Sequence, residues 1–309
     1  MPDYREGLVS IIIPTRGRID TLLTALESVL NQTYGDLEVI IVDDNDKESI
    51  FSEKVKLLVQ NVADVRVRLI QQVCHINGAA ARNVGIKDAC GEYIAFLDDD
   101  DWWEPEKLER QVKCLSSLDE TYGLVTCLSR FFLNGKLQRA SVPYKDGYIC
   151  KEVASRCVGI GIGAPLIRRR ALDETGYFDE GLNRMQDIQL FTFLCSRYKV
   201  CLVKEYLYCI CGDDNSNRKN LDVLKVKDAF LKSIQPVLES LSKEDREFIL
   251  IMEKFDMGYS LFKEHKYMAS TLLIANVFKS PVTLLCAIQR VMVRIRSRIF
   301  KRYNLRKYK

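Results

Sequence analysis

With 309 residues, 47% of them hydrophobic and 28% charged, the chain can bury the core of one large domain, or of a large and a small one. Its start, MPDYREGLVSIIIP, lacks the basic and apolar regions of a signal peptide, and no apolar run reaches the ~18 residues of a spanning helix. The net charge of +4 divides unevenly: Lys263 to Lys309 hold twelve Lys and Arg against the single acidic Glu264, a net +11 that leaves −7 for residues 1–262. That split predicts an acidic catalytic body and a basic tail that meets an anionic partner.

Four short runs, Leu8–Ile13, Leu37–Val42, Val65–Ile70 and Tyr93–Leu97, are rich in β-branched and aromatic residues and read as strands. Between them, Leu22, Leu26, Val29 and Leu30 fall on one face of a helix over Thr21–Leu30, with Asp20 as its N-cap. A second helix spans Gly78–Ala89 and is expected to stop at Gly91. Such alternation, with nearly continuous apolar strands, predicts a mostly parallel sheet covered on both faces. Ligands then sit beyond the carboxyl ends of the strands.

Past Pro105 a helix runs to about Ser117, and Leu124–Leu133 reads as a strand turned by Asn134-Gly135. Ala164–Ile167 is a short strand, Gln186–Tyr198 an amphipathic helix, and helical patterns dominate from Leu221. A boundary near Asn220 divides a catalytic domain, residues 1–220, from a helical and basic region, residues 221–309. The eleven cysteines are scattered without zinc-site spacing, as reduced and mostly buried thiols of a cytoplasmic protein. With His75 and His265 alone, neither a serine–histidine triad nor a histidine-rich metal centre is expected.

The strongest chemical signal is LDDDDWW at the end of the fourth strand. Adjacent carboxylates repel one another, a divalent cation relieves the repulsion, and oxygen-only ligands suit Mn²⁺ or Mg²⁺. Alternation along a strand would turn Asp98 and Asp100 to one ligand. Alone, such a run can equally be a solvated loop capping the next helix. The second cluster, VDDND, follows the second strand, where a carboxylate can accept from a base or a ribose, or simply form an Asx turn. The third, SIIIPTRGR, offers Arg16 and Arg18 to phosphate. It is not a Walker loop, and GIGIGAP (159–165) lacks the third glycine of a dinucleotide fingerprint.

In order, SIIIPTRGR, VDDND, NGAAARNVGI, GEYIAFLDDDDWWEPEKL and GYFDEGLNRMQDIQLF resemble the family 2 glycosyltransferases over roughly Val9 to Ser216. The resemblance implies a GT-A fold, Rossmann-like with a mostly parallel central sheet, here with a helical C-terminal extension. It also implies an inverting, metal-dependent transfer from a nucleotide-diphosphate sugar, such as a UDP-sugar, to a glycan or lipid-linked acceptor in cell-surface polysaccharide synthesis. Residue by residue, it assigns Pro14, Thr15 and Arg16 to the nucleoside, Asp44 to the base, and Arg82 to a place near them. Asp98 and Asp100 match the ends of the DxD motif, Asp100 as the direct ligand of Mn²⁺ or Mg²⁺, and Asp99 falls to the ribose. Asp187 matches the general base, and its place at a helix start favours the ionised form. Gln186 stands where many relatives have Glu. Where relatives often carry a metal-contacting histidine, this chain has Gly212, Asp213 and Asp214, so Asp213 is a further candidate ligand.

In the tail, Leu284, Leu285, Ile288, Val291, Met292, Ile295 and Ile299 form an apolar stripe beside Arg290, Arg294, Arg298 and Arg302. This suits a helix lying on anionic lipid at the inner face of the plasma membrane, or one packed on the body with its basic side exposed. No nucleic-acid-binding motif accompanies the charge. Two rivals remain at this level: a nucleotidyltransferase, and a nucleotide-sugar-binding protein without catalysis.

Overall fold

The computed structural model describes residues 4–212, 222–263, 265–288 and 291–292. Its first part alternates β1 (Arg5–Thr15), α1 (Ile19–Leu30), β2 (Leu37–Asp43), α2 (Ile50–Val62), β3 (Val67–Gln71), α3 (Gly78–Asp88) and β4 (Gly91–Phe96). There follow β5 (Trp102–Trp103), α4 (Lys107–Ser116), β6 (Tyr122–Leu133), β7 (Lys136–Ala140), α5 (Cys150–Ala154), β8 (Leu166–Arg168), α6 (Arg169–Thr175), α7 (Gln186–Arg197) and β9 (Lys199–Gly212). The rest is helical: α8 (Val223–Ser233), α9 (Gln235–Ser240), α10 (Lys243–Lys263), α11 (Tyr267–Ile274), a 3₁₀ turn (Ala275–Lys279) and residues 281–288.

One sheet holds these strands in the order β3-β2-β1-β4-β8-β6-β9-β5, with β7 on β6. β3, β2, β1 and β4 run parallel, as do β6 and β9; β8 joins the two groups antiparallel to both neighbours. The central parallel strands β1, β2 and β4 are mostly apolar because both faces are covered. Ile12, Ile40, Val42, Ile94 and Phe96 meet α3, α6 and α7 through Ala81, Ile86, Leu172 and Leu190. The alternate residues Ile11, Ile13, Val39, Ile41 and Ala95 meet α1, α2 and α4 through Leu26, Val55 and Leu108. Each such fully buried aliphatic side chain contributes about 2 kcal/mol by leaving water.

Several local expectations change. Asp20 lies inside the first turn of α1, and the N-cap is Arg18, which makes no side-chain capping bond. Gly91 does not stop α3: it opens β4, where an added Cβ would lie 2.5 Å from the Leu8 carbonyl oxygen. α3 is instead capped at its start by Asn77, which accepts from the Ala79 and Ala80 amides. Pro105 precedes α4 rather than entering its first turn. α2 and the full length of β9 were not foreseen; α2 leaves Ile50, Phe51 and Leu57 exposed, which blurs its helical pattern. The Asn134-Gly135 turn forms as expected, with both φ angles positive, at 49° and 71°.

The expected boundary at residue 220 falls outside the described residues. Beyond it, Phe230, Ile234, Leu238 and Ile249 close a core over Ala154 of α5. α10 is pinned by charge as well: Lys227 bonds Glu253, and Arg156 bonds both Glu253 and Asp256. Lys227, Glu253 and Asp256 are all buried, so removing any member leaves a buried charge with fewer partners.

Candidate active site

Because β1 and β4 are parallel neighbours, the segments that leave them, residues 14–18 and 97–101, emerge side by side on one edge. The four aspartates lie beyond the end of β4 in a turn, closed by the Asp101 amide donating to the Asp98 carbonyl at 3.1 Å. Strand alternation therefore does not operate here; the turn decides which carboxylates converge. Asp98, Asp100 and Asp101 bring one oxygen each to within 4.8 Å of one another. Asp98 and Asp100 do share a focus, but Asp101 joins them.

Asp99 turns the other way. It accepts from Thr15 Oγ1 at 2.8 Å, from the Arg16 amide at 3.3 Å and from Arg18 Nη1 at 3.2 Å. It thus ties the turn after β4 to the segment after β1. Burial raises its pKa to about 6, against the opposing pull of Thr15 and Arg18. Asp100 accepts from Arg18 Nη1 at 2.5 Å, and Asp98 from Arg82 of α3. Asp101 is held from β9, by the Tyr208 hydroxyl and by the Cys211 amide at 2.8 Å; burial and the neighbouring Asp98 push its pKa upward. Three convergent carboxylates with oxygen donors only fit a hard divalent cation.

Asp44 follows β2 on the same edge and is buried. One oxygen accepts from Gln72 Nε2 at 2.8 Å; the other meets His75 Nδ1 at 2.6 Å. Burial raises its pKa, against the pull of His75. In sequence His75 is only one of two histidines; its partner, Asp44, lies 31 residues earlier. Neighbouring Asp43 anchors the turn by accepting from the Asn45 amide at 3.0 Å and its side chain at 2.6 Å. Pro14 is partly buried, and Arg16 is exposed.

Asp187 lies in the first turn of α7, after Met185 in a left-handed conformation. Burial raises its pKa; the Ile188 amide, Arg82 and the helix start oppose this without overcoming it. The expectation that the helix start favours the ionised form is thus outweighed. Arg82 and Asp98 both act on Asp187 electrostatically, so α3 connects the carboxylate turn to this helix. Arg82 also packs 5.6 Å over the Phe178 ring, and its Nε is buried without a partner. Asn83 fixes the loop before α7 by donating to the Phe178 carbonyl at 2.9 Å and to Glu180 at 2.8 Å.

Two of the glycines of GIGIGAP, Gly161 and Gly163, have a packing reason. A Cβ on Gly163 would lie 2.5 Å from the Tyr208 ring, and one on Gly161 2.9 Å from it. The bare backbone lets Tyr208 reach Asp101. Behind Gly163, whose carbonyl accepts from Trp103 Nε1 at 2.8 Å, the fully buried Lys107 ammonium sits 3.8 Å over the Trp103 ring. Burial lowers the Lys107 pKa to about 8. Asp213 lies outside the described residues.

A mostly parallel α/β sheet with a carboxylate turn beyond β4 has the architecture of the GT-A glycosyltransferase fold. Residues 10–176 match the profile of glycosyl transferase family 2. The chain belongs to that family. Among relatives, it is 30% identical over 213 residues to the Escherichia coli UDP-Glc:alpha-D-GlcNAc-diphosphoundecaprenol beta-1,3-glucosyltransferase WfgD, covering 65% of this chain and 79% of the relative. It is 33% identical over 195 residues to an uncharacterized glycosyltransferase of Rickettsia bellii, covering 62% of this chain but only 27% of that longer protein. In fold it is similar to S. aureus TarS 1-349 in complex with UDP-GlcNAc, with a TM-score of 0.64 at 17% identity over 87% of this chain and 81% of that one.

Proposed function

We propose that the protein moves a sugar from a nucleoside-diphosphate donor, a UDP-sugar, to a hydroxyl of a lipid-linked glycan, with inversion, in cell-surface polysaccharide synthesis. The observation that carries this reading is the convergence of Asp98, Asp100 and Asp101 on the edge that also bears Asp44 and, through Arg82, Asp187. The resemblance to WfgD, a UDP-Glc:alpha-D-GlcNAc-diphosphoundecaprenol glucosyltransferase, supports the donor and the acceptor class.

In this reading residues 1–220 are the catalytic domain. Pro14, Thr15, Arg16 and Asp44 hold the nucleoside; Arg82, Asp98 and Asp99 hold the ribose and diphosphate side. Asp100 and Asp98 would hold Mn²⁺ or Mg²⁺, with Asp101 converging beside them and Asp213 as a further candidate. A bound divalent cation neutralises charge on the leaving diphosphate. Asp187 takes the proton of the acceptor hydroxyl as it attacks the anomeric carbon; a single displacement inverts that carbon. The raised pKa of Asp187 suits a group that must hold a proton at the end of the step. Residues 221–309 are the helical basic region, which keeps the enzyme peripheral at the inner face of the plasma membrane.

Calorimetry with UDP-, GDP- and dTDP-sugars, with and without Mn²⁺, tests the donor. Metal-dependent heat with a UDP-sugar is expected; no heat with any nucleotide would overturn the reading.

A further inference from the structure

The C-terminal helix expected as one apolar stripe is divided by its packing. Leu284, Ala287 and Val291 pack against Phe255 of α10 and Val277 of the 3₁₀ turn. On the opposite side, Val282 is 58% exposed, Leu285 59% and Met292 62%. Val282 and Leu285 lie one turn apart on one helical face, and Met292 is exposed beyond them. The preceding elements also leave apolar side chains bare: Met268 and Leu272 of α11 and Phe278 are each more than 70% exposed. A helix packed on the body by one apolar side and bare on the other has a second partner to meet.

The sequence that follows says which. Residues 289–309 contain nine Lys and Arg and no Asp or Glu, with Ile295, Ile299, Phe300 and Leu305 among them. Apolar side chains beside a dense positive charge match an anionic lipid surface, where acyl chains take the former and headgroups the latter. None of the helices among the described residues is long and apolar enough to cross a membrane.

We infer that Val282, Leu285 and Met292, with Met268, Leu272 and Phe278, form a membrane-docking face that inserts into the interface of anionic lipid. This rests on the membrane-peripheral reading above and names the residues that make the contact. α10 and α8 then form the strut between that face and the catalytic domain, joined to it through the Lys227–Glu253–Asp256–Arg156 cluster.

The test uses the full chain with vesicles of phosphatidylcholine alone or containing phosphatidylglycerol. Wild type should sediment with the anionic vesicles, weakly with the neutral ones, and less as salt rises. Leu285→Gln with Met292→Gln leaves the charge unchanged and should weaken anionic binding by ~10-fold. Met268→Gln with Leu272→Gln should do the same from a separate element. UDP-sugar binding should be unchanged in both, which separates failure of the docking face from failure of the catalytic reading. Wild-type sedimentation by both variants would overturn the inference. So would a dimer that these variants make monomeric, since a second copy would then cover the face. Unfolding of both variants would also overturn it, since the chain itself would cover the face.

Discussion

The carboxylate edge and the C-terminal helices solve opposite problems. At the edge, acidic groups that repel one another are crowded into a turn and restrained by Arg18, Arg82, Thr15 and Tyr208. In the helices, opposite charges are buried together and apolar side chains are left outside. The first arrangement spends stability on a ligand that carries charge; the second gains stability in its interior and keeps a sticky exterior. Substitutions should therefore separate them. Edge variants should change rate and metal affinity with little change in folding, and helix variants the reverse.

The largest effect is expected at Asp187. Asp187→Asn should lower kcat by about 10²–10⁴-fold while nucleotide affinity in calorimetry stays near wild type; retained turnover would remove Asp187 from its role. Asp100→Asn should weaken Mn²⁺ affinity more than ~100-fold, beyond the effect of any supporting residue, as read by titration of the metal. In the helical region, Lys227→Met removes one of the two cations that bond the buried Glu253, with Arg156 remaining, and should destabilise by about 1–3 kcal/mol in denaturant unfolding, with nucleotide binding kept below the transition. A smaller change is expected from Tyr208→Phe, which frees one side of Asp101 and should weaken Mn²⁺ binding by ~10-fold. Gly163→Ala should match it by displacing the Tyr208 ring.

The pH profile gives the finest distinction. The Asp187 pKa is raised, so activity should fall as pH drops through a value above the ordinary carboxylate range of about 4. Arg82 opposes that rise, so Arg82→Gln should move the acidic limb to still higher pH. An acidic limb that does not move would separate Arg82 from Asp187.

The sequence made the parallel strands legible because their β-branched runs are buried on both faces, as at Ile11–Ile13 and Val39–Val42. It made the acidic edge legible because the polar runs follow the strands. It could not assign the four aspartates, since their orientation comes from a turn and from β9, 107 residues away at Tyr208. Nothing in the sequence singles out Asp101 among them, and the packing role of Gly161 and Gly163 is set by the Tyr208 ring they accommodate. His75 was equally hidden: its meaning lies in Asp44, 31 residues earlier. In the tail, periodicity found the apolar residues but merged two faces, because only packing separates Leu284 from Leu285.

The parallel pairing of β6 with β9 has a consequence for assembly. Ser129 lies opposite Tyr208, with irregular register on the preceding residues. A slip of one position would send the phenol to the other face of the sheet, leaving Asp101 with neither of its partners from β9. The site is thus completed only by a long-range strand pairing that forms slowly in a folding chain. A chain truncated before β9 would carry every acidic residue from Asp98 to Asp101 and still lack a finished edge.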